Sequence, residues 1–266
     1  MLRVLATRRW LGALALAAAF AVAAFFLGQW QWHRYEDRKE RADRITAHYD
    51  ATPVPLAGQV GTDPMPAALE WTRVGMSGRY AAGAPLLVRN RPYEGAYGYE
   101  VLAPFALDDG RTILVDRGWV LNAKNAQTRP EVPPNPSGEV TVTGWLRPSE
   151  PSLGHHLPAG QLASINIREA RGQLDGTDLL GAYVVLDREQ TAQGQTPPRP
   201  ARLERPDTGL GPHQACAFQW WGSMAVGFIL VFFGVRREYR EALEAESGEP
   251  LPGRPRKVRI WDEEDA

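Results

Sequence analysis

The clearest candidate for chemistry in this sequence is the imidazole of His213, which stands at the start of a 23-residue apolar stretch. An ionisable group at the edge of a membrane segment is costly, so such groups are functional candidates by default. Imidazole is also the usual axial ligand of haem iron. The alternative is an interfacial histidine that only reaches the water among lipid headgroups. The position alone is compatible with either role. Polar and aromatic residues follow it closely: Gln214, Gln219, Trp220 and Trp221.

Three other residue combinations carry weaker signals. His155-His156 could ligate a metal, although adjacent loop histidines point in different directions. The glycine-rich segment 95–99 lacks the strand–loop–helix frame of a phosphate site, so a turn is the better interpretation. Asp116-Arg117 could form a buried ion pair, but a strand end closed by Gly118 is the favoured interpretation. These combinations therefore define no second site from sequence alone.

The composition excludes several classes of protein. The 30 basic and 31 acidic residues give a net charge of −1, so no basic excess indicates a nucleic-acid partner. The single cysteine, Cys216, excludes an intramolecular disulfide and a thiolate metal cluster. A membrane-tethered hydrolase would need a base among His48, His155 and His156, and none of them has a recognisable nucleophile frame. We therefore expect a protein that is not an enzyme.

Two charge-free apolar stretches position His213 within the chain. They cover residues 10–30 and 213–235, which are 21 and 23 residues long. A helix rises 1.5 Å per residue, so ~20 apolar residues cross a ~30 Å hydrocarbon core. The first stretch could instead be a cleaved signal peptide with Ala-x-Ala sites. It continues past those sites to Trp30, however, so we expect an uncleaved anchor.

The arginines that flank the two stretches predict the topology. Arg3, Arg8 and Arg9 precede the first stretch, and Arg236, Arg237 and Arg240 follow the second. Short basic segments favour the cytoplasmic side, so both termini are expected there. The sequence thus predicts cytoplasmic residues 1–9, membrane helices at 10–30 and 213–235, and a disordered cytoplasmic tail at 236–266. Residues 31–212 would form an extracytoplasmic domain, with a linker at 190–212.

The intervening polar region is predicted to be rich in β-structure. A helical stalk at 31–50 continues the first span, because apolar residues recur there at steps of three and four. Short strand-like runs then alternate with Gly, Pro and Asp-Asp-Gly turns, and 161–174 is predicted as a helix. The predicted fold class is an α+β membrane protein. Two transmembrane helices flank a mainly antiparallel β domain, which is either a sandwich or a partly open barrel.

A set of short motifs resembles the surfeit locus protein 1 family. Gly28, Trp30, Gln31 and Arg34 match its Gly-x-Trp-Gln-x-x-Arg signature at the exit of the first span. Arg38 stands where the family usually has Lys. Further matches follow in order: Arg73-Val74, Gly78-Arg79-Tyr80, Arg89-Asn90-Arg91, Gly98-Tyr99, Pro104-Phe105, the run Ile113 to Val120, Val142, Gly144-Trp145-Leu146-Arg147, Gly211-Pro212-His213 and Ala217-Phe218-Gln219-Trp220. Cys216 replaces a common Tyr.

This resemblance implies an assembly factor for the haem-copper cytochrome c oxidase. It implies a protein of the bacterial plasma membrane that binds haem a transiently and aids its insertion into oxidase subunit I. The implied partners are that subunit, the haem a synthesis machinery and the lipid bilayer, and His213 matches the position of the expected haem ligand. The aromatic residues expected to line the haem cleft are Trp30, Trp32, Trp220 and Trp221.

A second hypothesis needs no haem contact. The chain could be a scaffold that binds and stabilises nascent oxidase subunits through its β domain. This hypothesis predicts that an Ala substitution at His213 still supports oxidase assembly, whereas variants of Arg117 or Trp119 do not.

Overall fold

A computed structural model describes residues 1–123, 128–155, 157–174 and 177–247 of the chain. The chain divides into two compact units. Met1–Arg38 and Leu210–Ala266 form the first, which we call the helix unit, and Lys39–Gly209 forms the second, the sheet domain. The predicted mixed α+β class with a large, mainly sheet domain is confirmed.

Two long helices dominate the helix unit. A short helix α1 (Leu2–Leu5) precedes α2 (Arg8–His48), and α4 (His213–Ser247) lies at the other end of the described chain. Helices α2 and α4 are each long and apolar enough to cross a membrane. Small residues let them approach closely: a Cβ at Gly227 would lie 3.0 Å from the Cβ of Ala17. Trp10 Nε1 also donates a hydrogen bond to Glu238 Oε2 at 2.8 Å.

The described residues of the sheet domain form eight strands and one further short helix. Helix α3 (Ile167–Gln173) lies between the last two strands, and a 3₁₀ turn covers Ala67–Leu69. The strands are β1 (Val54–Pro55), β2 (Arg73–Tyr80), β3 (Leu86–Tyr93), β4 (Ala96–Leu107), β5 (Thr112–Leu121), β6 (Val140–Pro148), β7 (Gln161–Leu162) and β8 (Leu179–Thr191).

The strand pairing closes a ring. The order along the sheet is β1-β2-β6-β8-β5-β4-β3-β7, and an additional pairing joins β2 to β4. Five strands (β2, β6, β8, β5 and β4) are therefore linked in a circuit, which is the pairing of a small barrel. Four of the five ring pairs are antiparallel, and the fifth, between β5 and β8, is parallel. Of the two predicted arrangements, this circuit favours the barrel.

Each of the five ring strands contributes buried apolar side chains to one core cluster. Val74 of β2, Phe105 of β4, Val115 of β5, Val142 of β6 and Val184 of β8 all belong to it. Because one face of every ring strand contributes, this cluster fills the inside of the ring. A second cluster packs between the outer face of β3–β5 and helix α3.

A buried ion pair joins the neighbouring ring strands β5 and β8. Arg117 Nη2 lies 2.7 Å from Glu189 Oε1, and both side chains are 0% exposed. Arg117 also donates to the carbonyl oxygens of Pro133, Pro134 and Pro198. The pairing of Arg117 with Asp116, which was the less favoured interpretation of the sequence, does not occur; the favoured strand end at Gly118 is also wrong, because β5 continues to Leu121. Asp116 is buried separately, and its carboxylate accepts a hydrogen bond from the backbone N–H of Gly118.

Three segments differ from their sequence predictions. Helix α3 covers only part of the predicted helix 161–174, because residues 161–162 pair with β3 instead. The predicted linker 190–212 begins as the end of β8, and its Ala201 forms a β-bridge to Trp119. The tail predicted as disordered at 236–266 begins as helix, because α4 continues to Ser247. Residues 248–266 of that tail lie outside the described residues.

We expect Arg117→Ala to destabilise the sheet domain strongly, because it leaves Glu189 buried without its cation. Breaking a buried ion pair by removing one partner costs about 3–5 kcal/mol of unfolding free energy. Arg79→Ala is the matched control, since Arg79 is an exposed residue of strand β2. The loss of unfolding free energy in each variant is measured by denaturant unfolding of the detergent-solubilised chain, followed by tryptophan fluorescence. A loss below about 1 kcal/mol for Arg117→Ala, the value of an exposed pair, would contradict this role.

Candidate functional site

The candidate site lies within the helix unit, where α4 begins. Gly211 adopts a left-handed conformation (φ +64°), which turns the chain into the helix. Pro212 follows, and its carbonyl oxygen accepts a bond from the N–H of Cys216 at 2.9 Å. Proline is suited to this position because its fixed φ is already helical and the first helical N–H groups lack partners. This turn places His213 on the first turn of α4.

The imidazole of His213 is held by the other long helix. Its Nδ1 lies 2.8 Å from Oε1 of Gln31 on α2. Because an amide oxygen can only accept, Nδ1 carries the proton in this hydrogen bond. The other ring nitrogen, Nε2, then keeps its lone pair, which is the form of imidazole that binds a metal ion.

A basic side chain lies beside this nitrogen. A methyl group built on Gly211 would lie 3.5 Å from Arg38 Nη1 and 3.7 Å from His213 Nε2. The two nitrogens therefore converge on one small space next to Gly211, and their separation cannot exceed the sum of those two distances. Arg38 is one of the last residues of the helix unit and is exposed.

An aromatic cluster lies along the same pair of helices. The ring of Trp32 is 5.3 Å from that of Tyr35, 6.0 Å from Phe218 and 5.8 Å from Trp221. Trp221 packs against Gly28, where a Cβ would lie only 2.2 Å from the indole Nε1. The glycine is thus required for this contact. Among the described residues, the buried Nε1 of Trp221 has no hydrogen-bond partner.

The structure separates the aromatic residues expected to line a haem cleft. Trp32 and Trp221 belong to the aromatic cluster described above. Trp30 is 56% exposed, and it lies about 200° around α2 from Trp32, on the opposite face. Among the described residues, the rings of the aromatic cluster make no ring contact with Trp30 or Trp220. Their roles as cofactor-binding residues stay predictions.

Sequence reasoning did not assign roles to four residues that build this site. Gly28, Gln31, Tyr35 and Arg38 recur on α2 at steps of three and four, which places them on one face of a helix. That spacing was visible in the sequence. Their partners on α4 were not, because the pairing of two helices depends on contacts about 180 residues apart in the chain.

The sheet domain holds a second polar cluster, which is partly buried. Arg91 contacts both Glu100 (2.9 Å) and Glu150. Burial raises the pKa of Glu100 from 4.5 to about 7, although the Arg91 charge opposes this shift. Burial likewise raises the pKa of Asp116. Within the described residues, no three His, Cys, Asp or Glu side chains are grouped for a metal ion. His155 lines a cavity beside Arg91, whereas His156 lies outside the described residues.

Comparison with known proteins identifies the family of this chain. The model of the SURF1 family matches residues 18–225. An uncharacterized SURF1-like protein of Mycobacterium bovis is 31% identical over 256 residues, which cover 94% of this chain and 92% of that protein. The chain therefore belongs to the SURF1 family, and the resemblance found in the sequence is confirmed.

Two eukaryotic relatives match shorter parts of the chain. Surfeit locus protein 1 of Takifugu rubripes is 34% identical over 145 residues, covering 47% of this chain and 58% of its own length. The cytochrome oxidase assembly protein SHY1 of Saccharomyces cerevisiae is 29% identical over 114 residues, covering 42% and 29% respectively.

Proposed function

We propose that this chain is a two-pass membrane protein that assists the assembly of cytochrome c oxidase and is not an enzyme. It would bind haem a through His213 and aid its insertion into subunit I. Membership of the SURF1 family and the printed name of the yeast relative support the assembly role. Two helices long enough to span a membrane support the anchoring. The partners would be the oxidase subunit, the haem a synthesis machinery and the lipid bilayer.

The observation that carries the haem proposal is the hydrogen bond from His213 Nδ1 to Gln31. This bond orients the ring and leaves Nε2 with its lone pair, so the donor set fits an axial ligand. The haem iron would supply the Lewis acid that accepts the lone pair. Trp32, Phe218 and Trp221 would offer apolar surface to the porphyrin. A single strong ligand suits a protein that must release its cargo.

The direct experiment compares His213→Ala with the wild type after co-expression with the enzymes of haem a synthesis. We expect the purified wild type to carry a haem absorption band and the variant to lose at least about nine-tenths of it, because the iron loses its axial ligand. His33→Ala is the control, since His33 is an exposed histidine of α2 close to Gln31.

Two outcomes would contradict this assignment. Full haem content in His213→Ala would exclude His213 as the ligand, and loss of haem in His33→Ala alone would move the site. If His213→Ala loses haem but still supports oxidase assembly in cells, the haem-free scaffold becomes the better account. Arg117 variants would then need to block assembly at a temperature at which they remain folded.

The proposed topology places both termini in the cytoplasm and the sheet domain outside. In a Cys216→Ala background, a cysteine at Ala82 occupies the exposed turn between β2 and β3. A second probe at Ala245 lies exposed near the end of α4. A membrane-impermeant thiol reagent applied to intact bacterial cells should label the Ala82→Cys variant only, because the bilayer protects the cytoplasmic site. Labelling of the Ala245→Cys variant alone would invert the topology.

A further inference from the structure

Arg38 and His213 approach each other beside Gly211. Both Arg38 Nη1 and His213 Nε2 lie within ordinary contact distance of a methyl group built on Gly211. One nitrogen belongs to a permanently charged guanidinium, and the other carries a lone pair for a metal ion. A ligand that uses both must present an electron-accepting centre and an anionic group a short distance apart.

We propose that Arg38 is an anion-binding residue of the His213 site and that it pairs with a propionate carboxylate of the bound haem. This inference rests on the haem binding proposed above. Haems carry two propionates on flexible two-carbon chains at one edge of the ring. Such a chain can fold toward the face on which the axial imidazole lies, where Arg38 is located.

The geometry of α2 supports this pairing. Gln31 and Arg38 are seven residues apart, which is almost two full helical turns, so they lie on the same face. The residue that orients the imidazole and the residue that would bind the carboxylate are therefore aligned along one helix. A guanidinium offers five N–H donors in a planar fork, so it can bind a carboxylate with two of them and keep other contacts.

The distribution of polar and apolar residues along the helices indicates how a bound porphyrin would be oriented. Phe218 and Trp221 lie deeper in the apolar stretch of α4 than His213, and Trp221 packs over Gly28 of α2. Arg38 lies in the opposite direction, seven residues beyond Gln31 on α2, and is exposed. A haem bound at His213 would thus direct its apolar edge toward the tryptophans and its propionate edge toward Arg38. Burying the carboxylates among the aromatic rings instead would leave charges without partners.

The test separates a direct pair from a general effect of Arg38 on the fold. Wild type and Arg38→Gln, both full-length in detergent, are titrated with iron protoporphyrin IX and with its dimethyl ester, and binding is followed by absorption. The ester keeps the iron and the ring but removes both negative charges. We expect esterification to weaken binding to the wild type about tenfold, the value of a charge-assisted hydrogen bond, and to change binding to Arg38→Gln about twofold or less.

Two further variants provide controls. Arg34→Gln removes the same charge one turn nearer the apolar stretch and should keep the wild-type response to esterification. Arg38→Lys keeps the charge without the planar fork of donors, so it should recover part of the response to esterification. Equal losses on esterification in the wild type and Arg38→Gln would overturn the proposal, as would a lost response in Arg34→Gln alone.

The failure of this proposal can be told apart from the failure of haem binding itself. If Arg38→Gln responds to esterification like the wild type while His213→Ala loses the absorption band, only the Arg38 assignment is wrong. If the wild type binds neither porphyrin, or if His213→Ala binds both with an unchanged spectrum, the His213 site and the role of Arg38 are rejected together.

Discussion

The hydrogen bond between His213 and Gln31 is the contact on which the candidate site depends. It joins α4 to α2 at the point where α4 begins, and it decides which imidazole nitrogen keeps its lone pair. Two neighbouring glycines allow the helices to approach closely at this contact. Gly211 turns the chain so that His213 faces α2, and Gly28 lets the Trp221 ring approach α2 one helical turn away. The helix pair therefore positions a chemical group by packing small residues against large ones.

The sheet domain is organised by a different constraint, the burial of charge inside a ring of strands. Arg117 and Glu189 are both removed from water, and the phenol of Tyr80 donates to the second oxygen of Glu189 at 2.7 Å. Burial raises the pKa of Tyr80 far above its ordinary value, so the phenol remains a donor. Arg117 also binds carbonyl oxygens from two loops, so one side chain fixes strands and connections together. A substitution there would act through folding.

The sequence predicted those features that depend on local pattern. Apolar stretches of 21 and 23 residues indicated the two long helices, and alternating strands with Asp108-Asp109-Gly110 indicated the β4–β5 hairpin. Features that depend on distant partners were not predictable. Arg117 pairs with a residue 72 positions away, not with its neighbour Asp116. Residues 161–162 form a strand because β3 offers an edge, although their sequence favours helix. His213 was identified from its position, whereas Gln31 required the structure.

Chemical rescue can test whether His213 binds haem iron through Nε2 in a site that Gln31 shapes. A His213→Gly variant removes the ligand and leaves a cavity of the size of an imidazole ring, so external imidazole can replace the side chain. In haem titrations of this variant, we expect imidazole to restore the wild-type absorption band with saturation. The wild type should show that band before any imidazole is added, because the His213 side chain already occupies the position. A His213→Gly variant that keeps the wild-type band without imidazole, or one whose spectrum never responds to imidazole, would exclude His213 as the iron ligand.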